Sequence, residues 1–261
     1  MKKHALNSDV LDWDKSFFVL ISSFLGSLDI LSQILPMIIF LSRDSELQEK
    51  IHTELQIKVP EDEELVAPSI AKDLLYIQAC IMETSRLIGE PAIPHVSTKN
   101  LTIKGKLVYL FMVCCSKNLQ ERLLINCLLT FTGFKIPEGS VVLINLPRIH
   151  RSAKYWDRPN EFWPERFLKF RQDGTLELEK FANLIPFGLG PRSCPGYGLH
   201  KVLSGMLIAN LIREFYIIPD ESSKKSLGPS YDLTLEGEIF AVEFRKRATE
   251  FFEKTPTLSR T

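Results

Sequence analysis

Chemistry in this chain concentrates in ten residues, Phe187-Gly188-Leu189-Gly190-Pro191-Arg192-Ser193-Cys194-Pro195-Gly196. They hold one cysteine, one arginine and three of the thirteen glycines. A thiolate is both a nucleophile and a soft metal ligand. Gly188, Gly190 and Gly196 let a backbone bend tightly and approach a flat ligand closely. Amides of such a loop, set ahead of a helix, can point at the sulfur and favour its anion. Arg192 is a fixed cation suited to a carboxylate. Phe187 offers an apolar wall that keeps water off the sulfur. The set suits a metal-bound thiolate beneath a carboxylate-bearing macrocycle. A cysteine nucleophile served by His200 is the rival chemistry, but no ordered Cys/His/Asn pattern accompanies it.

The mostly apolar segment Leu199 to Leu211 follows the loop and reads as a buried helix running to about Phe215. Upstream, Ile70 to Leu87 has apolar anchors at Leu74, Leu75, Ile77, Ile81 and Met82. That period predicts an amphipathic helix ending before Gly89 and Pro91. Glu83 and Arg86 lie one turn apart on it, a spacing that alone usually means a surface ion pair. Phe17 to Leu41 is the longest apolar run. Its length could span a bilayer. Asp29, Pro36 and four serines interrupt it, and the rival reading is a long helix crossing a protein core. It continues without a clear stop into Leu47, Ile51 and Leu55, where a polar face opens at the helical period.

Pro91 to Ile103 reads as extended chain. Phe134 to Ile136, the turn Pro137-Glu138-Gly139, and Ser140 to Leu146 read as a hairpin. Pro159 and Pro164 argue against a long helix in the Trp- and Phe-rich run 156–170. Asp232 to Phe244 partly alternates and reads as short strands. The class is mainly α with small β-sheets.

Composition narrows the function. Lys plus Arg and Asp plus Glu number 32 each, so the formal net charge is zero and gives no electrostatic case for nucleic acid. The five cysteines form no zinc spacing; Cys80, Cys114 and Cys127 read as small hydrophobes. An odd count without a secretory leader fits a reducing compartment. Met1 to His4, followed by Asp9, Asp12 and Asp14, is neither a signal nor a transit peptide.

The cysteine loop resembles the haem-binding signature of the cytochrome P-450 superfamily, F-x-x-G-x-R-x-C-x-G, at every fixed position. Five fixed residues at set spacing arise by chance in a chain this long with odds on the order of one in ten thousand or rarer. Glu83-Thr84-Ser85-Arg86 is similar to the family's E-x-x-R helix motif, and Pro164-Glu165-Arg166-Phe167 to its P-E-R-F motif. Residues 45–50 resemble the region after its long central helix. Asn145 to Trp156 and the loop most resemble animal microsomal members, including the steroid-metabolising branch.

The resemblance implies roles. Cys194 would be the axial thiolate of haem b iron, which favours O–O cleavage. Arg192 and His95 would contact the propionates, and Phe187, Gly188 and Gly196 would frame the cofactor. Glu83, Arg86 and Arg166 would form a buried triad that fixes geometry more than it adds stability. The implied reaction inserts one atom of O2 into a lipophilic substrate of steroid or xenobiotic type. Electrons would come from NADPH through a reductase partner. The implied location is the cytosolic face of the endoplasmic reticulum membrane.

Three departures from the family pattern stand out. The chain is about half the family's length and begins just before the central helix, so it reads as one partial domain over 1–261, without the membrane anchor. This favours the core-helix reading of 17–41. The central helix normally carries an acid and then a threonine. With Glu46 in register these positions hold Leu28 and Asp29, and a one-residue slip pairs Asp29 with Ile30. Asp29 is the catalytic candidate, as a carboxylate that holds a water. Finally, Thr102-Ile103 and Phe134 to Ser140 match one family hairpin but are separated by an apolar stretch, 105–132. It reads as translated intron or as a lineage-specific insertion. A truncated, non-catalytic product is the alternative function.

Overall fold

A computed structural model describes residue 26 and residues 30–88, 94–103, 109–113, 124–128, 134–220 and 241–247. A helix over 30–42 (α1) comes first. Asp44 then breaks the chain: its side chain accepts from Leu47 N–H at 2.8 Å and caps the next helix, Ser45–Lys58 (α2). The continuous helix expected through this region is therefore two helices. An aspartate before a first turn satisfies amides that would otherwise be orphaned.

A single helical turn, Pro68–Ala71 (α3), leads to Leu75–Ile88 (α4). The start of α4 is capped from another helix. Glu54 of α2 accepts from the Leu75 and Tyr76 amides at 2.7 and 3.1 Å. A carboxylate there also complements the positive end of the helix dipole. The single helix expected over 70–87 is therefore broken at 72–74, and α4 is described as far as Ile88.

Strands follow. Pro94–Val96 (β1), Leu101–Ile103 (β2), Tyr109–Val113 (β3), Leu124–Leu128 (β4), Phe134–Ile136 (β5) and Val141–Ile144 (β6) form two antiparallel sheets. One has the order β1-β6-β3-β4, and β2 pairs with β5. Thus β5 and β6 are not a hairpin. Ile136 faces Leu101, whereas Val141 faces Val96 and Val113. The described parts of the insert, β3 and β4, pair with each other, and β3 extends the sheet along β6. Leu146 ends no strand; Asn145 caps a short helix, Leu146–His150 (α5).

Residues 151–163 are irregular and reach one 3-10 turn, Pro164–Phe167. Leu168–Phe170 (β7) and Leu176–Leu178 (β8) then pair around the Asp173-Gly174 turn. The last helix, Tyr197–Glu214 (α6), runs into Phe215–Pro219 (β9), which pairs with Val242–Lys246 (β10).

The main core joins α1, α2, α4 and α6 through Met37, Leu47, Ile51, Ile77, Ile208 and Ile212, all buried. Gln48 ties it together: Nε2 donates to Leu41 O and Ile217 O, and Oε1 accepts from Ile217 N–H. A second core of Ala79, Trp156 and Phe167 carries Met82, Phe181 and Leu184 against it. The helix after the cysteine is not wholly buried as expected. Leu199, Leu203 and Leu207 are exposed along one side of α6 while Ile208 and Ile212 are buried. Among the described residues, no helix is long and apolar enough to cross a membrane.

Candidate functional site

The loop before α6 is built from backbone bonds. Gly188 N–H donates to Ile185 O at 3.1 Å, Ser193 N–H to Gly190 O at 3.0 Å, and Cys194 N–H to Phe187 O at 2.8 Å. Gly188 and Gly190 have φ of +72° and +73°, a region that costs an L side chain strain. Gly196 does not, at φ −78°. A Cβ there would sit 3.6 Å from Cys194 Sγ, an ordinary contact. Two glycines, not three, are required for the bend. The same contact shows that the sulfur lies beside the N-cap of α6, where a helix favours negative charge by about 0.3–1 kcal/mol. The expected amide bonds to sulfur are not made. Among the described residues the loop amides go to carbonyls, and none reaches Cys194 Sγ.

Cys194 is exposed on the rim of a cavity of about 220 Å³. Ile81, Met82 and Ser85 of α4 form one side, and Leu184 to Leu189 form another. The Ser85 hydroxyl is buried without a partner. Lys201 and Tyr197 of α6 complete the lining; burial lowers the Lys201 pKa and raises that of Tyr197. Small-molecule sites typically enclose about 300–1,000 Å³, so the cavity among the described residues falls below that range. Phe187 packs on Tyr197 and on His200, with ring centres 4.8 and 5.1 Å apart. His200 is buried behind it, with Nδ1 3.3 Å from Ser204 Oγ. Burial lowers its pKa, and among the described residues its ring hydrogen bond is to Ser204, not to Cys194, so no nucleophile-and-base pair is formed.

Behind the cavity stands the charge triad. Glu83 and Arg86 are fully buried, not a surface pair. Arg86 Nε and Nη2 donate to the two Glu83 oxygens at 2.8 Å each. Its remaining N–H groups reach His150 O, Pro159 O and Glu161 O at 2.7, 2.6 and 3.0 Å. Arg166 Nε meets Glu83 Oε1 at 3.1 Å, and its other nitrogens take Asp157 O and Arg158 O. Trp163 N–H adds a fourth bond to Glu83, at 2.9 Å. Burial lowers the Arg166 pKa; Glu83 offsets part of that, and Arg86 adds to it. One carboxylate therefore serves two guanidiniums, which together hold five carbonyls of segment 150–161. The irregular chain takes its shape from these side chains, and Arg158 sits at φ +43° within it.

The structure thus gathers Cys194, Phe187, Gly188 and Gly196 in one place. Arg192 lies in the 3-10 turn Gly190–Arg192 beside them. His95 is exposed on β1 and does not line the cavity. Asp29 lies outside the described residues. Cys80 is buried, and its thiol pKa is pushed well above the ordinary value, as suits a small hydrophobe. Sequence reasoning missed Ile81, Met82, Ser85, Leu184 and Lys201. A helical wheel through Glu83 and Arg86 places residues 81 and 85 on the opposite side of α4 and Met82 beside Arg86, but nothing in it says that they meet the cysteine.

A cysteine on the rim of an apolar cavity, just ahead of a helix, is the layout of a haem-thiolate fold. Comparison agrees. The family model described as Cytochrome P-450 matches residues 118–238. Cytochrome P-450 2U1 of Bos taurus is 30% identical over 251 residues, covering 94% of this chain and 40% of the relative. The 2-hydroxyisoflavanone synthase of Glycine max is 32% identical over 212 residues, 80% of this chain and 34% of that one. A solved zebrafish cytochrome P-450, in a structure titled with progesterone, superposes with a TM-score of 0.53 at 25% identity. That match covers 74% of this chain and 38% of the zebrafish one. The chain belongs to the cytochrome P-450 superfamily and most resembles its animal microsomal members. It spans about 40% of the length of the 2U1 relatives it matches.

Proposed function

We propose that this chain carries the haem-binding portion of a haem-thiolate monooxygenase. The observation that supports the reading most is the cavity. It pairs apolar walls at Ile81, Met82, Leu184 and Phe187 with a single thiol on its rim. These residues fit haem b: the walls suit a flat hydrophobic ring, and the sulfur is an iron ligand once deprotonated. When bound, haem supplies the oxygen chemistry, in which one atom of O2 enters an organic substrate.

The chain's own residues do the rest. Cys194 would supply the electron pair that holds the iron, and the N-terminus of α6 would favour its charge. Phe187, packed on Tyr197 and His200, would wall the cavity that Cys194 also lines. Arg192 would be the cation for one propionate and His95, which lies outside this cavity, would be a contact for the other; Asp29, outside the described residues, would be the carboxylate that holds a water. Glu83, Arg86 and Arg166 fix segment 150–167 against α4.

The substrate class is a lipophilic small molecule. Family membership and the progesterone in the zebrafish structure's title support that class. Electrons would come from NADPH through a reductase at the cytosolic face of the endoplasmic reticulum membrane. Residues 1–261 are then one partial domain, with 105–132 as an insertion or translated intron, which sequencing the transcript decides. Incubation with haem, reductase, NADPH and a steroid or xenobiotic panel under oxygen-18 gas tests the reaction. A product carrying one heavy oxygen is expected, and loss of that label in Cys194→Ala. Haem binding without product would favour the second reading, a non-catalytic family fragment.

A further inference from the structure

His150 lies outside the cavity and outside the cysteine-loop, E-x-x-R and P-E-R-F motifs, within the 145–156 segment. It is the last residue of α5 and fully buried. Its backbone carbonyl accepts from Arg86 Nη1 at 2.7 Å. Its ring Nε2 accepts from Ile185 N–H at 3.1 Å. Ile185 is a cavity residue, and its own carbonyl accepts from Gly188 N–H at the first bend of the cysteine loop. Two residues beyond Ile185, Phe187 O takes the Cys194 amide. An unbroken path therefore runs from the triad through His150 to the amide of the cysteine.

We propose that His150 is a positioning residue for the thiolate loop, whose neutral imidazole fixes the Ile185 amide and through it the placement of Phe187 and Cys194. The ring acts as an acceptor at Nε2, so its proton is on Nδ1, which is buried and has no partner among the described residues; the Ile185 bond is the ring's one hydrogen bond there. No described residue other than His150 holds the Ile185 N–H, and at this half-buried position an amide shut off from water without an acceptor is disfavoured. Packing alone would not need the nitrogen: leucine fills similar space but cannot accept. Glutamine can place its oxygen where Nε2 lies. Asparagine is polar but too short to reach. The inference rests on the haem-thiolate reading only for its functional meaning, since the hydrogen bond is a property of the chain itself.

The test is site-resolved hydrogen exchange of the Ile185 amide in the full chain with haem supplied. It compares wild type with His150→Leu, His150→Asn and His150→Gln. The expected result is exchange faster by about tenfold or more in the Leu and Asn variants, with near wild-type protection in Gln. The same ranking should appear in the fraction of reduced, carbon-monoxide-bound protein that shows the thiolate-type Soret band. Equal Ile185 exchange in all four proteins overturns the proposal, and so does a Gln variant as unprotected as Asn. If Leu does not fold, the contrast between Asn and Gln still decides. A wild type that takes up no haem would sink the haem-thiolate reading while leaving the exchange comparison intact.

Discussion

Glu83→Gln is the most informative single change in the fold. Glu83 is fully buried and accepts four hydrogen bonds: two from Arg86, one from Arg166 and one from Trp163 N–H. Glutamine keeps the shape. Its oxygen can still face Arg166, Trp163 and Arg86 Nη2, but its NH2 must then meet the N–H of Arg86 Nε. The variant gains a donor–donor clash and leaves two buried guanidiniums with no counter-charge. Removing one partner of a buried ion pair costs about 3–5 kcal/mol, a large share of the ~5–15 kcal/mol that holds a domain folded. With a urea m-value of ~2 kcal/mol/M, the midpoint should fall by roughly 1.5–2.5 M, read by far-UV circular dichroism. A shift under about 0.5 M would refute the view that this carboxylate holds segment 150–161 in place. Glu83→Leu combined with Arg86→Leu sharpens the point. Buried ion pairs can often be replaced by apolar groups at no cost. Here stability should not recover, because three carbonyls lose the Arg86 donors.

Further outcomes follow from local geometry. Burial, with Arg86 beside it, lowers the His150 pKa from 6.5 to about 4. The folded state then resists a proton that the unfolded chain accepts below pH 6.5. Stability should fall as pH drops from about 6.5 to 4, by up to ~3 kcal/mol, and His150→Gln should flatten that part of a pH series of urea melts. Gly190→Ala, at positive φ, should cost about 1–2 kcal/mol, whereas Gly196→Ala should leave the melting temperature within a degree or so of wild type. Asp44→Ala should cost ~1 kcal/mol through loss of the α2 cap, measured by thermal melts.

The cysteine loop and both arginine motifs are legible in the sequence because each needs particular atoms: a sulfur, two planar cations, residues that accept a tight bend. The helices are legible where apolar spacing is regular, as in α4. What the sequence hides is long-range choice. Nothing local to Glu54 says that it caps α4, 21 residues away. Phe134–Ile136 and Val141–Ile144 look like a hairpin from their turn. Their partners are β2 on one side and β1 and β3 on the other, and local alternation cannot name a partner. The Glu83–Arg86 spacing suits a surface pair equally well. Burial makes it structural, and burial here depends on the irregular chain 150–163 folding over it. His150, a lone histidine, has no sequence signal at all.

The central claim is that Cys194 is placed to bind haem iron as a thiolate. The Soret band of the reduced, carbon-monoxide-bound protein, recorded after haem is supplied, tests it most directly. The expected result is the red-shifted band for which the family is named, lost in Cys194→Ser and kept in Cys80→Ser. A normal-position band in wild type, or a red-shifted band that survives Cys194→Ser, would contradict it.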